Sequence, residues 1–332
     1  MQHNFRISQI LALIILPVLS MLISLCLGRM VIPLSSTMHS IGAKLWLCEA
    51  ESSTVEKVLW GIRLPRILMA MAVGVGLSLS GLTFQSLFAN PLATPDTLGV
   101  ASGASFGASL GILLGLSLRG IQALAVIMGL VAVLLTWISG RSKEGGTASF
   151  VLAGIMIGSL FNALVSLIKY TADTETQLPS ITYWLMGSMS GKGYSTLLFG
   201  CPVVILSAVL LFMLRWRMNI LPLSEDEARS SGADIRKLRA ASIITATAMT
   251  ASCVSMCGQV GWIGLIVPHI CRMLFGNDHR KLVPASVSIG ASFVVLVDTA
   301  CRTISASEIP ISILTAISGA PFFIYLMRRK ER

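Results

Sequence analysis

The chain has 332 residues, of which 54% are hydrophobic and only 12% charged, with a mean hydropathy of +0.81. Soluble domains average about 25% charged residues, so the composition excludes an ordinary soluble domain and indicates an all-α, polytopic integral membrane protein. The net charge of +10 is no nucleic-acid signal, because the basic residues sit at segment ends and form no patch interleaved with aromatics.

The first apolar run, residues 10–28, is longer than the core of a signal peptide and has no small-residue cleavage site. Leu25 before Cys26 is too bulky for a lipoprotein-type site. The run reads as a retained transmembrane helix. A helix needs about 20 apolar residues to cross about 30 Å of hydrocarbon. Ten segments qualify: 9–29, 62–84, 98–116, 119–139, 147–169, 194–214, 240–258, 262–276, 283–303 and 309–327. Ten crossings put both termini on one side, which then holds sixteen Lys and Arg against nine on the other. Positive charge stays inside, so both termini are expected in the cytoplasm. Two outer loops are long: 30–61, and 170–193 with a short amphipathic piece around 181–189. The whole chain, 1–332, reads as one transmembrane domain.

Several short stretches carry possible chemistry or mechanics. Arg63 and Arg66 open the second segment from outside and are three apart, so one helical turn would point both the same way. Arg302 stands at the outer end of the ninth segment. These arginines read either as interfacial anchors or as a cationic rim for the carboxylates of a soluble partner. Asp298 is the one acid well inside an apolar segment, and Arg302 follows at i+4, a favourable ion-pair spacing. The run 90–95, Asn-Pro-Leu-Ala-Thr-Pro, reads as a non-helical turn. Glycines 99, 103, 107, 111 and 115 recur every fourth residue; they form either a tight packing face or a smooth pathway wall. Thr147, Ala148 and Ser149 start the fifth segment as a cap or a constriction. Residues 215–239 form a charged, helix-forming island that cannot sit in hydrocarbon. Ser224 followed by Glu225, Asp226 and Glu227 is a helix start. This island is a handle for a cytoplasmic partner.

Enzymatic signatures are missing from the sequence. Residues 187–193 approach a phosphate-binding loop, but the glycines are one residue too close and no Ser or Thr follows Lys192. The seven cysteines contain no CxxC, and Cys253 and Cys257 have no His or acid beside them, so no metal site is expected. No nucleophile–base pair is visible, and no cofactor is expected.

Together these pieces resemble the iron-chelate/cobalamin permease family of FecCD type, the membrane subunits of type II ABC importers. The resemblance rests on Arg63-Leu-Pro-Arg66, Gln85 with Asn90-Pro-Leu-Ala, Pro95, Leu98 and Gly99, Tyr183-Trp184 with Gly187 and Ser188, and Gly261-Trp-Ile-Gly264 with Pro268, His269 and Arg272. It continues through Asp278-His-Arg280, Asp298 with Arg302, and Glu308-Ile-Pro310 with Thr315 and Gly319. The resemblance implies a pathway at the interface of two permease subunits in a bacterial inner membrane. It implies two cytoplasmic ATPase subunits seated on the loop 221–239, here through Leu223, Glu225, Ala228, Gly232 and Ala233. It implies an extracytoplasmic binding protein whose acids meet Arg63, Arg66 and Arg302. It also implies an inner gate at Asn90, Leu92, Thr147 and Ala148. Ala148 and Ser312 depart from the family pattern, where a small hydroxyl residue and Gly respectively are common. The implied cargo is an iron(III)-siderophore, with haem, cobalamin and molybdate or tungstate carried by similar proteins. A stand-alone secondary transporter is the alternative of a different class. The scarcity of intramembrane carboxylates and the large cytoplasmic handle weigh against it.

Overall fold

The computed structural model describes residues 5–45, 53–140, 146–223, 227, 234–305 and 307–330. Among these residues there are helices and turns but no strand. That follows from a lipid surround, where every backbone N–H and C=O must be satisfied inside its own segment. The helices are α1 (Ile7–Cys26), α2 (Leu34–Lys44), α3 (Ser53–Glu56), α4 (Leu64–Leu87), α5 (Val100–Leu113), α6 (Leu118–Ser139) and α7 (Gly146–Thr171). They continue as α8 (Gln177–Leu185), α9 (Tyr194–Leu214), α10 (Ile235–Cys257), α11 (Ile263–Phe275), α12 (His279–Thr303) and α13 (Ile311–Lys330). A π-helical stretch, Lys57–Arg63, runs α3 into α4.

Ten of these helices fall on the ten expected segments. Among the described residues, seven spans are long and apolar enough to cross a bilayer. Shorter apolar helices are Val100–Leu113, Ile263–Phe275 and Ile311–Ile324. Polar caps set several starts. Asp234 accepts from the backbone of Lys237 at 3.2 Å, and Asp278 from that of Arg280 at 3.0 Å. α8 lies earlier than the piece expected at 181–189. It stops there because Gly187 and Gly191 take left-handed conformations, at φ 72 and φ 68, which suit a turn and not a helix.

α4 is the centre of the bundle. It is buried almost along its whole length and packs on α12, α10, α11 and α9. α1 and α9 present most of their surface outward. In lipid, apolar side chains gain little by turning inward, so close approach and hydrogen bonds must hold the helices together. Both are present. A Cβ on Gly74 would lie 2.1 Å from the carbonyl oxygen of Gly290, and one on Gly81 2.0 Å from that of Gly264. Ser78 donates to the Ser286 carbonyl at 2.8 Å, and Ser80 to that of Ala246 at 3.1 Å.

The glycine stripe divides by position. Gly103 and Gly107 sit against the carbonyls of Met128 and Leu124 on α6, so that part is a packing face. Gly99 and Gly115 lie outside α5, both with positive φ. Changing Gly74 to leucine should therefore prevent α4 from seating on α12, at a cost of 3 kcal/mol or about that. Thermal denaturation in detergent measures it. A Gly61→Ala control, where nothing lies within 4 Å, should be neutral. Equal melting of the two variants would refute the close contact.

The helix directions define two ends. α1 finishes, and α4 and α13 begin, at the end that holds Arg63, Arg66, Arg302 and Glu308. Ile7, Lys330 and the described ends of the 221–239 segment, residues 221–223 and 234–239, lie at the opposite end.

Candidate functional site

At the first end the three arginines turn inward. Arg63, Arg66 and Arg302 are only 4%, 8% and 6% exposed. Arg66 is the hub. Its Nε and Nη2 grip Asp298 at 3.0 and 2.8 Å, and its Nη1 reaches Glu308 at 2.9 Å. Such forked contacts suit the planar guanidinium. Arg63 donates instead to the carbonyl of Leu25, in the last turn of α1, and to that of Met30 in the loop after it. Arg302 donates to the carbonyl and hydroxyl oxygens of Ser24 at 2.5 and 2.6 Å. Gly28 makes the room: a Cβ there would lie 2.7 Å from Arg63 Nη2 and 3.1 Å from Arg302 Nη1.

Two expectations change here. Arg63 and Arg66 do not act as one same-facing pair, because each finds a different set of acceptors. Asp298 pairs first with Arg66, while the Arg302 Nε lies 3.7 Å away. Arg302 is drawn to Ser24, so the i+4 spacing is secondary. Glu308 lies in the loop before α13. Burial raises its carboxyl, but the charge and hydrogen bonds of Arg66 outweigh this and hold it below the ordinary carboxylate value.

At the opposite end a polar network joins four elements. Asn219, in the 3-10 turn Arg217–Ile220, accepts from the backbone N–H of His279 at 2.9 Å and donates to Asp278 at 3.0 Å. Its Oδ1 also lies 2.9 Å from His279 Nδ1. The other ring nitrogen of His279 lies 2.5 Å from Ser86 Oγ, at the end of α4. Beside it, Arg272 of α11 donates to the Gln85 side chain, whose Nε2 donates to the Gly264 carbonyl at 3.0 Å. The carbonyl of Gln85 accepts from the backbone of Asn90 at 3.0 Å. The network therefore runs from the turn before 221–239 to the turn at 90–95. Sequence reasoning missed Asn219, and took His279 only as part of the motif Asp278-His-Arg280, with no partner for it. No spacing flags an Asn inside a charged stretch.

The expected gate residues are partly placed. Asn90 and Leu92 are exposed, and the Asn90 side chain accepts from the backbone of Leu92 at 2.9 Å. Thr147 lies in the first turn of α7, and Ala148 is exposed. α7 also supports the 90–98 region: a Cβ on Gly154 would lie 2.0 Å from the Thr97 carbonyl oxygen. Leu223 is exposed next to Asn219's turn. Glu225, Ala228, Gly232 and Ala233 lie outside the described residues.

Lys192 is a structural tie. Its ammonium donates to the Met256 carbonyl at 2.7 Å, and burial pushes its pKa down to about 8. A lysine engaged in this way is not placed to grip a nucleotide phosphate. The sequence also passed over Asp96, which lines a cavity of about 230 Å³ with Thr94, Gln259 and Trp262.

Known proteins share this architecture. A molybdate import system permease protein from Haemophilus influenzae is 39% identical over 327 residues, covering 96% of this chain and 95% of that protein. A probable iron chelatin transport system permease protein from Helicobacter pylori is 35% identical over 86% of each chain. A cobalamin import system permease protein from Halobacterium salinarum is 36% identical, covering 84% of this chain and 75% of that one. A solved inward-facing structure of a proposed metal-chelate type ABC transporter superposes with a TM-score of 0.88, at 38% identity, over 97% of this chain and 99% of that one. PsaBC from Streptococcus pneumoniae, at 16% identity and a TM-score of 0.57 over 87% of this chain and 94% of that one, shares the fold alone. The model of the FecCD transport family matches residues 14–329. With a family match over nearly its whole length and relatives that are permease proteins, the chain belongs to the FecCD transport family, as a non-catalytic, multi-pass cell-membrane permease of ABC importer type.

Proposed function

We propose that two copies of this chain, or one copy and a similar subunit, enclose a pathway that imports an iron(III) chelate of siderophore type. Two cytoplasmic ATPase subunits would dock on 221–239, and an extracytoplasmic binding protein on the opposite end. The observation that carries this reading is the polar chain from Asn219 through His279 to Ser86, whose neighbour in α4, Gln85, accepts from the Asn90 turn. Movement imposed on 221–239 reaches Asn90 and Leu92 by that route. At the docking end, Arg63, Arg66 and Arg302 outnumber Asp298 and Glu308 by one charge, and the exposed Arg29 stands 3.9 Å from Glu308. This rim therefore has the sign to attract acidic side chains, and a soluble partner's carboxylates would exchange with the internal ones. The part of the attraction that comes from the exposed Arg29 should weaken with salt, because exposed charges are screened over about 8 Å at physiological ionic strength.

Molybdate is a second reading, supported by the relative named for molybdate import that spans nearly the whole chain. Uptake of a radiolabelled iron–siderophore and of radiolabelled molybdate, in cells with and without this chain, separates the two. Loss of iron uptake alone is expected on deletion. Loss of molybdate uptake alone overturns the cargo, and loss of neither overturns both readings.

The gate is tested separately. Cysteine placed at Thr147 should crosslink between the two permease subunits, and nucleotide should change the yield. Absence of a crosslink in every nucleotide state would remove Thr147 from the gate.

A further inference from the structure

A groove of about 840 Å³ runs along the outside of the bundle between α1, α4, α9 and α12. Leu13, Pro17, Met71, Val204, Ala208 and Val287 are among its apolar lining. Arg215 and Arg280 also line it, both from the end that bears 221–239. The Arg215 guanidinium stands 3.9 Å from the Phe212 ring centroid, and that of Arg280 5.8 Å from the Trp216 ring. Among the described residues neither guanidinium pairs with a carboxylate. Arg215 donates to the Phe212 carbonyl at 2.6 Å. Asp278, two residues from Arg280, directs its carboxylate to Asn219 and to the Arg280 backbone N–H.

This combination selects an amphiphile. An apolar wall offers nothing to the amides of a peptide, which would be left unsatisfied. Paired guanidiniums beside a tryptophan suit a phosphate at the level of a membrane interface. The lining on α9 extends from Leu197 to Arg215, roughly 27 Å at 1.5 Å per residue. That exceeds half of a hydrocarbon core of about 30 Å, so an acyl chain fits lengthwise. We propose that the groove binds one anionic glycerophospholipid, with an acyl chain along α9 and its phosphate between Arg215 and Arg280. The charge count of the chain places this end in the cytoplasmic leaflet, where anionic lipids attract Lys and Arg.

Native mass spectrometry of the purified full-length permease, with whatever subunits co-purify, tests this. Phosphatidylglycerol and phosphatidylcholine of matched chains are added in turn. Phosphatidylglycerol adducts should be retained at least ten-fold more strongly. Each of Arg215→Gln and Arg280→Gln should lower that preference about five-fold, the equivalent of about 1 kcal/mol. Each should weaken phosphatidylcholine less, because its choline offsets the phosphate charge, and an unchanged thermal melt of the lipid-free variant serves as the folding control. Ala208→Trp, which fills the groove, should reduce both lipids. Inorganic phosphate at equal concentration should not displace the adduct, because the acyl chain supplies part of the affinity. Equal retention of the two lipids overturns the proposal, as does an unchanged preference in the double glutamine variant. A groove covered by a second subunit would give no adduct in any variant, which also overturns it.

Discussion

Replacing Arg66 with glutamine should destabilise the membrane-inserted chain by about 3–5 kcal/mol, the usual cost of removing one partner from a buried ion pair. Asp298 is 1% exposed and loses its nearest cation, while Glu308 loses its fork partner. Arg302 cannot replace Arg66 at once, because Ser24 holds its Nη2 at 2.5 Å. Arg66→Glu should be worse, since it sets three carboxylates together. Asp298→Asn combined with Arg66→Gln should recover part of the loss, because the pair is removed as a unit. Thermal unfolding in detergent, read as a double-mutant cycle, gives the coupling. An Arg66→Gln variant within 0.5 kcal/mol of the parent, roughly the size of an ordinary surface change, would show that the cluster is not structural. The result also decides how docking is tested. A charge reversal at Arg66 would lose partner binding by disturbing the bundle, whether or not Arg66 meets the partner. Arg29, 61% exposed in its side chain, can be reversed at little structural cost, so Arg29→Glu reports on attraction alone.

The membrane fold was legible because hydropathy and length act locally. Each of the ten segments contains its own evidence, and α9 falls on the residues expected for it. The arginine cluster was legible as composition but not as geometry. Arg66 and Asp298 are 232 residues apart, and the i+4 rule that linked Asp298 to Arg302 knows only one helix. The acceptors of Arg63 are backbone carbonyls in the last turn of α1 and in the loop after it, and no residue type announces them. The Gly99 series looked like one stripe because its spacing is regular. The turns at Gly99 and Gly115 put its ends outside the helix, leaving Gly103, Gly107 and Gly111 as the contact with α6. Asn219 was invisible for a simpler reason: its partners, His279 and Asp278, start a helix 60 residues later.

Changing Asn219 to leucine should reduce transport by roughly ten- to a hundred-fold while leaving the chain inserted in the membrane. The side chain satisfies the backbone N–H of His279, in the first turn of α12, where no intrahelical acceptor exists. It also holds the Asp278 carboxylate through its amide. Leucine has nearly the same size but offers neither group. Each lost bond is worth about 1–1.5 kcal/mol, and 1.4 kcal/mol is a factor of ten in an equilibrium. The cost falls at one helix start and not in the core, because Asp278 still caps Arg280 and α4 remains packed. The predicted defect is therefore in transmission. Nucleotide should still bind the partner ATPase subunits, but it should no longer change a Thr147 crosslink, and cargo should no longer raise ATP hydrolysis. Asn219→Asp should be intermediate, since it keeps the acceptor for His279 but sets a second carboxylate beside Asp278. Uptake and ATPase stimulation, measured in the assembled transporter, check the order parent, aspartate, leucine. Parental uptake in the leucine variant would mean that motion of the 221–239 segment reaches the Asn90 turn without Asn219, and the proposed path would fail.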